Sequence, residues 1–128
     1  MRGFLAVSLG GAVGSGLRYL IALALARSDG GFSLGTLVAN LLGCFLMGLI
    51  ATLGTSSLSP VWRLGLTTGL LGGFTTYSTF SLEKLHLAQR GMPLHALAYA
   101  LITLALGFLA VFLGYALARL ILARTAAG

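Results

Sequence analysis

The sequence predicts an all-α membrane protein, and three observations lead to that fold class. The chain has 128 residues, of which 58% are hydrophobic. Charged residues make up only 8% of the chain, whereas average soluble domains carry about 25%. Long stretches contain no charge at all. A soluble domain would lack the polar side chains needed to cover its surface, and a single cysteine excludes a disulfide scaffold.

Four apolar stretches follow one another along the chain. Residues 3–17, 30–62, 64–82 and 91–118 are free of charge. Because a spanning helix needs about 20 apolar residues, we predict four transmembrane helices, at approximately 4–26, 34–53, 61–85 and 94–117. The links between them are short and contain Gly, Ser, Asp and Pro, which are turn-forming residues. The chain 1–128 is therefore expected to be a single four-helix transmembrane domain, with the first helix retained rather than cleaved as a signal peptide.

Small residues repeat at helical spacing in the first three predicted helices. The repeats are formed by Gly10, Gly11 and Gly14, by Gly43 and Gly48, and by Gly65, Gly69 and Gly73. In a membrane, helices associate where small residues let their backbones approach closely. These helix faces are expected to pack against protein rather than against lipid.

The basic residues are scattered, although the net charge is +6. No cluster exists that could follow a phosphate backbone, so no nucleic-acid partner is predicted. Most of these residues are expected to anchor helix ends at the lipid headgroups. Arg18 is the exception, because it lies within the first predicted helix. It either attracts an anion into a vestibule or extends to the membrane surface.

The third predicted helix contains a segment that is unfavourable for a helix. Gly72 and Gly73 precede a run of hydroxyl residues in the sequence Thr-Thr-Tyr-Ser-Thr at 75–79. Glycine and hydroxyl side chains both weaken helices, and irregular backbone at membrane depth must be buried in protein or line a wet cavity. We therefore predict a break at 72–78. The alternative is a continuous helix whose hydroxyls bond to its own carbonyls.

Two further polar features lie in the predicted membrane interior. Asn40 is costly in hydrocarbon unless it is hydrogen-bonded, so it either donates to an anion or joins two helices. On the fourth helix, Tyr99 and Thr103 are four residues apart and share one face, which Gly107 continues. That face either lines a pore or has hydroxyls that are satisfied within the helix.

The membrane interior contains no carboxylate, since Asp29 lies in the first link and Glu83 near the end of the third helix. Proton-coupled pumps and cation exporters usually require a buried carboxylate. The sequence contains no Cys/His cluster that could bind a metal, and no set of nucleophile, base and orienting residue. The protein is therefore not expected to be an enzyme.

The chain resembles the Fluc (CrcB-type) fluoride channels over its whole length, and three motifs, in order along the sequence, carry this resemblance. The motifs are Gly10-Gly11-x-x-Gly14-x-x-x-Arg18-Tyr19, Gly35-Thr36-Leu37-Val38-Ala39-Asn40-x-x-Gly43 and Gly69-x-x-Gly72-Gly73-Phe74-Thr75-Thr76-Tyr77-Ser78-Thr79-Phe80, followed by Glu83. The resemblance implies a passive, fluoride-selective channel in the cell membrane that protects the cell from fluoride. It implies an antiparallel (inverted) homodimer with two pores, each lined by both subunits.

The resemblance also assigns roles to residues of this chain. Asn40 would contact fluoride, and Tyr77 and Phe80 would form the aromatic pair of the pore, although the family usually has Phe at the first position. Ser78 and Thr79 match the polar portion of the break. Tyr99 and Thr103 match a polar track on the fourth helix, in which Gly107 replaces a further hydroxyl.

The same similarity extends to a cation and a vestibule. A structural Na⁺ would lie at the dimer centre, held by main-chain carbonyls of Gly72 and Thr75. Arg18 resembles the arginine of the family's vestibule. The partners implied are fluoride, sodium, the lipid bilayer and an inverted second copy of the chain.

The distribution of basic residues is consistent with insertion in both orientations. With four spans, one side of the membrane carries Arg2, Arg63, Arg119 and Arg124, and the other carries Arg27, Lys84 and Arg90. A difference of one residue is too small to set an orientation, because each contact with an anionic leaflet contributes only about 1 kcal/mol. Two other functions remain open from the sequence, namely a small dual-topology multidrug-type exporter and a noncatalytic membrane scaffold.

Overall fold

The structure is a computed structural model that describes residues 1–26 and 33–126, and all regular elements in these ranges are helical. The long helices are α1 (Arg2–Ala24), α2 (Leu34–Ser57) and α6 (Pro93–Ala126). Between α2 and α6 lie α3 (Pro60–Leu64), a π-helical segment (Gly65–Leu71), α4 (Gly72–Phe74) and α5 (Tyr77–Gln89). The predicted first link, with Arg27 and Asp29, lies outside the described residues.

Local sequence signals account for the starts of these helices. The Ser33 hydroxyl accepts a hydrogen bond from the Thr36 N–H and caps α2, which is the usual role of serine at this position. Ser59 caps α3 in the same way, and Pro60 follows it, where the missing N–H of proline costs nothing. Before α6, Gly91 adopts a φ of 77°, a left-handed conformation that glycine tolerates.

The predicted third span is not a single helix. The chain leaves the helical conformation at Thr75 (φ −86°, ψ 156°) and Thr76 (φ −146°, ψ 120°) before α5 begins. The break lies inside the predicted range 72–78, so the alternative of a continuous helix is wrong. Among the described residues, three helices are long and apolar enough to cross a membrane, namely α1, residues 34–55 of α2, and α6. The count of four spans therefore remains a prediction.

Glycines determine where the helices meet. Helix α2 packs most extensively on α6, and α1 packs on the π-helical segment. At the first of these contacts, a side chain at Gly48 would collide with the Val111 carbonyl, and one at Gly114 would collide with the Phe45 carbonyl. The two glycines thus face each other's helix backbone reciprocally. On the other side, Gly14 lies directly against the Leu70 carbonyl. The predicted close approach at small residues is confirmed for Gly14 and Gly48.

Large apolar side chains cover the outside of this helical assembly. Leu9 is 69% exposed and Phe108 is 76% exposed, and many further leucines along α1 and α6 are more than half exposed. In water such a surface would aggregate, whereas in a bilayer it contacts acyl chains. The chain is an integral membrane protein that crosses the membrane several times.

The crossing of α2 and α6 predicts a contrast between two alanine substitutions. Gly114→Ala places a Cβ against the Phe45 main chain and should lower stability by about 1–3 kcal/mol. Gly16→Ala is the matched control, because a Cβ there meets nothing within 4 Å, and its helix propensity improves by up to about 1 kcal/mol. Thermal unfolding in detergent, followed by the fluorescence of the single tryptophan, measures both. Equal melting temperatures would contradict the packing described.

Candidate functional site

The break between α4 and α5 is held by one side chain from α2. The Asn40 Nδ2 donates a hydrogen bond to the Thr76 carbonyl at 3.0 Å, and the Asn40 Oδ1 accepts one from the Thr76 N–H at 2.7 Å. The amide therefore satisfies both main-chain groups of a residue that has left the helix. Of the two roles considered for Asn40, the structure shows the helix-joining one. The second N–H of Nδ2 leaves a donor that can serve the other role.

Thr76 in turn organises the start of α5. Its hydroxyl oxygen accepts a hydrogen bond from the Thr79 N–H at 3.2 Å, which is an N-cap. The same hydroxyl donates to the Thr79 Oγ1 at 3.0 Å and lies 3.4 Å from the Ser78 Oγ. The hydroxyls of Ser78 and Thr79 are thus connected to the cap of the helix, and Ser78 is on the exposed side of the chain.

These bonds redirect two main-chain donors. In a continuous helix the Thr76 N–H would bond the Gly72 carbonyl, and the Thr79 N–H would bond the Thr75 carbonyl. Here the first donates to Asn40 and the second to the Thr76 hydroxyl. The carbonyls of Gly72 and Thr75 have therefore lost their usual helical partners. Gly72 and Thr75 are the two residues whose carbonyls are predicted, from the family resemblance, to hold a structural Na⁺.

Arg18 reaches the same region from α1. Its Nε donates a hydrogen bond to the Gly73 carbonyl at 3.1 Å, and its side chain is partly buried. This carbonyl is also at the end of α4, where a cation is favourable for the helix dipole. The contact ties α1 to the break, and a vestibular role for Arg18 remains a prediction.

A cavity of about 370 Å³ opens beside the break. The lining residues with an amide, thiol or hydroxyl group come from α2, the break, the start of α5 and α6. They are Asn40, Cys44, Thr75, Thr76, Tyr77 and Thr103. Phe80 and Gly107 also line it, and none of the described residues that line the cavity is charged. The structure thus brings four of the predicted pore residues into one cavity, namely Asn40, Tyr77, Phe80 and Thr103.

Three aromatic rings follow one another from this cavity toward α6. The ring centroids of Tyr77 and Phe80 are 5.9 Å apart, and those of Phe80 and Tyr99 are 6.1 Å apart. Tyr77 is 79% exposed, whereas Phe80 and Tyr99 are buried. Tyr99 packs behind Phe80 and donates from its hydroxyl to the Ser33 carbonyl at 3.0 Å. It is not among the residues that line the cavity.

Thr103 is a buried polar residue of the cavity whose hydroxyl has no hydrogen-bond partner among the described residues. Its Oγ1 is buried and makes no hydrogen bond within residues 1–26 and 33–126. A hydroxyl on a helix usually bonds a carbonyl one turn earlier, so the alternative that this face is satisfied within the helix does not hold for Thr103. One turn further along α6, Gly107 contributes no hydroxyl and lies near the Cys44 sulfur.

Three further residues meet near Tyr99. The Thr36 hydroxyl donates to the Glu83 Oε1 at 2.6 Å, and the Lys84 Nζ lies 3.5 Å from the Glu83 Oε2. The Lys84 Nζ is also 3.3 Å from the centroid of the Tyr99 ring and 4.8 Å from that of Phe80. The position of Lys84 near the end of the predicted third span favours a headgroup anchor, but in the structure its side chain turns inward to Glu83 and Tyr99.

Three residues near the site, Thr36, Cys44 and Lys84, are not among the predicted site residues, although their helical spacing points to them. Thr36 and Cys44 lie four residues on either side of Asn40, and Lys84 lies four residues after Phe80. Residues at this spacing share a helix face. The faces of α2 and α5 that carry the predicted residues therefore also carry the missed ones.

The roles of Asn40 and Thr103 predict that only the loss of Asn40 lowers stability. Asn40→Leu removes both hydrogen bonds to Thr76 and should cost about 1–3 kcal/mol for each main-chain group left unpaired. Thr103→Val removes a hydroxyl that bonds no other described residue, so the melting temperature of this variant should stay near the wild-type value. Hydrogen exchange at the Thr76 amide should accelerate in the first variant only. A Thr103→Val variant as unstable as Asn40→Leu would show that the hydroxyl is bonded.

The sequence of this chain matches one protein family over most of its length. Residues 5–115 match the family described as CrcB-like protein, Camphor Resistance (CrcB). A protein of Rhizobium meliloti (strain 1021), named fluoride-specific ion channel FluC, is 44% identical over 93% of this chain and 98% of its own length. Proteins with the same name from Chlorobaculum tepidum and Shewanella pealeana are 47% and 45% identical, over 94% and 89% of this chain and 97% and 94% of their own lengths. These names describe channels rather than enzymes, and the chain belongs to the CrcB family.

Proposed function

We propose that the chain forms a fluoride-selective channel that lets fluoride leave the cell passively and so protects the cell from it. The observation that carries this proposal is the neutral donor set of the cavity. Within the described part of the chain, the Thr103 hydroxyl has no hydrogen-bond partner and none of the residues that line the cavity is charged. The Asn40 amide also has a second N–H that can donate. The relatives that cover most of the chain are named fluoride-specific ion channels, and the three sequence motifs point to the same function.

The hydration of fluoride explains why neutral hydrogen-bond donors, such as the Asn40 amide and the Thr103 hydroxyl, suit its passage. A small, strongly hydrated anion enters a narrow path only if donors replace its water, and amide N–H and hydroxyl groups do so. The edges of aromatic rings carry partial positive charge and can face an anion, which suits Phe80 and Tyr77. Neutral donors bind the ion without trapping it, whereas a fixed cation at the narrowest point would hold it.

We infer that the functional unit is an antiparallel homodimer with two pores. Tyr77 is 79% exposed and Ser78 is also exposed in the single chain, so a pore that contains them needs a second copy to enclose it. The predicted third span would then be made by two helices in line, one ending at Phe74 and the other beginning at Tyr77. Such interrupted helices are stable in a bilayer only where protein covers the break.

A structural Na⁺ at the dimer centre is part of this proposal, and the break suits it. Gly72 is exposed, and the carbonyls of Gly72 and Thr75 have had their helical N–H partners diverted to Asn40 and Thr76. Main-chain oxygens are the ligands that hard cations prefer, and interrupted membrane helices supply them. These two residues, from each of two copies, would hold the ion and fix the subunits about it.

Fluoride efflux from liposomes tests the function. Wild-type protein should release fluoride, measured with a fluoride electrode. Asn40→Asp should abolish release, because it places a carboxylate against the anion path and removes the donor to Thr76. Phe80→Ile should strongly reduce release while the dimer assembles normally, and Tyr77→Phe should be tolerated because the ring edge is retained.

The controls for this experiment separate the three candidate functions. Chloride efflux from the same vesicles should be much slower than fluoride efflux. Uptake of a cationic drug driven by a proton gradient would indicate the exporter instead, and the absence of any flux would indicate the scaffold. Wild-type fluoride efflux from both Asn40→Asp and Phe80→Ile would remove the assignment of the pore.

Dual topology is tested by labelling at one link. Ser57→Cys in a Cys44→Ala background should react with an impermeant thiol reagent from both sides of the membrane, because the basic residues differ by only one between the two sides. Lys84 keeps its place in that count, since orientation is set during insertion, before the side chain packs inward. Adding two lysines to one link should then favour one orientation and reduce functional dimers. Labelling from one side only would exclude the inverted dimer.

A further inference from the structure

Lys84 is a buried cation that the proposed conduction mechanism does not use. Its side chain is 12% exposed, although it lies on α5, in the broken segment that is predicted to cross the membrane. The Nζ lies over the faces of the Tyr99 and Phe80 rings, at 3.3 Å and 4.8 Å from their centroids. Both rings belong to the set predicted to conduct the anion. A cation kept at such a place needs a reason beyond anchoring a helix end.

The neighbouring Glu83 supplies the opposite charge. Its carboxylate is held on α2 by the Thr36 hydroxyl, at 2.6 Å from Oε1. The other oxygen, Oε2, lies 3.5 Å from the Lys84 Nζ. Both of these atoms are buried, and neither has a hydrogen-bond partner in the described part of the chain. Each charge therefore depends on the other, and removing one leaves the other uncompensated in a poorly solvated place.

The position of this pair matters to an anion. The Lys84 Nζ lies 4.8 Å from the Phe80 centroid and 3.5 Å from the Glu83 Oε2, so an anion at the edge of the Phe80 ring would be within reach of both charges, and an uncompensated Glu83 would repel it. At roughly 8 Å and an effective dielectric constant of about 20, one unbalanced charge changes the local occupancy of a monovalent ion by on the order of tenfold or more. A cation on a ring face also leaves the positive ring edge free to meet the anion.

We propose that Lys84 is the fixed counter-charge that neutralises Glu83 beside the conducting path and keeps that path open to an anion. The proposal rests on the function proposed above, and it concerns charge rather than shape. Its consequence is that the effect of removing Lys84 depends on whether Glu83 is ionised. If Lys84 only stabilised the fold, its removal would have the same effect whether Glu83 is ionised or replaced by a neutral residue.

The test compares Lys84→Met in two backgrounds, using the full chain in liposomes and a fluoride electrode. In the wild-type background, Lys84→Met should slow fluoride efflux by about tenfold or more. In the Glu83→Gln background, where the amide carbonyl can still accept from Thr36, the same change should alter the rate by less than threefold. Lys84→Arg keeps the charge over the rings and should retain most of the wild-type rate. Arg124→Met is the control for loss of an exposed cation on α6, and its rate should not change.

Each outcome decides between charge and structure. Equal slowing by Lys84→Met in both backgrounds, no slowing in either, or a Lys84→Arg rate as low as that of Lys84→Met would overturn the proposal. If Lys84→Met does not assemble, Lys84→Gln gives the same comparison between backgrounds with a polar side chain of similar length. Failure of the wild-type protein to release fluoride would instead overturn the proposed function, which keeps the two failures distinct.

Discussion

The pair of hydrogen bonds between the Asn40 amide and the Thr76 main chain is the interaction on which the site depends. A residue that leaves a helix at membrane depth has an N–H and a carbonyl that water cannot reach, and leaving them unpaired is costly. Asn40 satisfies both at 2.7 Å and 3.0 Å. Because the Thr76 N–H is thus occupied, it cannot close the helix onto Gly72. The Asn40 side chain therefore both keeps the helix open at Thr76 and satisfies the two main-chain groups that the break would otherwise leave unpaired.

The glycines determine that Asn40 is close enough to do this. Three residues after Asn40 on α2, a side chain at Gly43 would collide with the methyl group of Thr75. The absence of that side chain lets Thr75 insert against α2 while Thr76 meets the amide. On the opposite side, Gly14 and Gly73 bring α1 against the same segment, and Arg18 bonds the Gly73 carbonyl. The break is therefore clamped between two helices by close backbone packing, and polar bonds add specificity to it.

Composition and periodicity predicted the helical elements well and their exact limits less well. A run of glycines and hydroxyls indicates where a helix is weak, so the break was expected within 72–78. Its restriction to Thr75 and Thr76 depends on a partner 36 residues away in sequence, which local propensity does not contain. Helix α6 continues to Ala126, beyond the predicted end at 117, because the stretch after 117 contains arginines but no helix-breaking residue. A charge marks where hydrocarbon ends and leaves the helix itself intact.

The site shows a similar division between what spacing reveals and what packing decides. Asn40, Phe80 and Thr103, three of the residues predicted to line a pore, line one cavity, whereas Tyr99 lies behind Phe80 and Thr79 is bonded to Thr76. The inward direction of Lys84 was missed because a long side chain at a helix end can reach either the headgroups or an aromatic face. The faces of Tyr99 and Phe80, which belong to different helices, decide that direction only after the chain has folded.

The charges of the site are arranged so that the cavity itself remains neutral. Arg18 is directed to a main-chain carbonyl, and Lys84 is directed to the Glu83 carboxylate and two ring faces. Neither residue lines the cavity, whose polar groups are an amide, hydroxyls and a thiol. A full charge in a medium of low dielectric constant would bind or repel an ion too strongly for passage, whereas partial charges balance entry against exit. Selective conduction of an anion therefore requires that the full charges be held by partners at the margin of the cavity. In the folded chain Lys84 is held there by Glu83, and Arg18 by the Gly73 carbonyl.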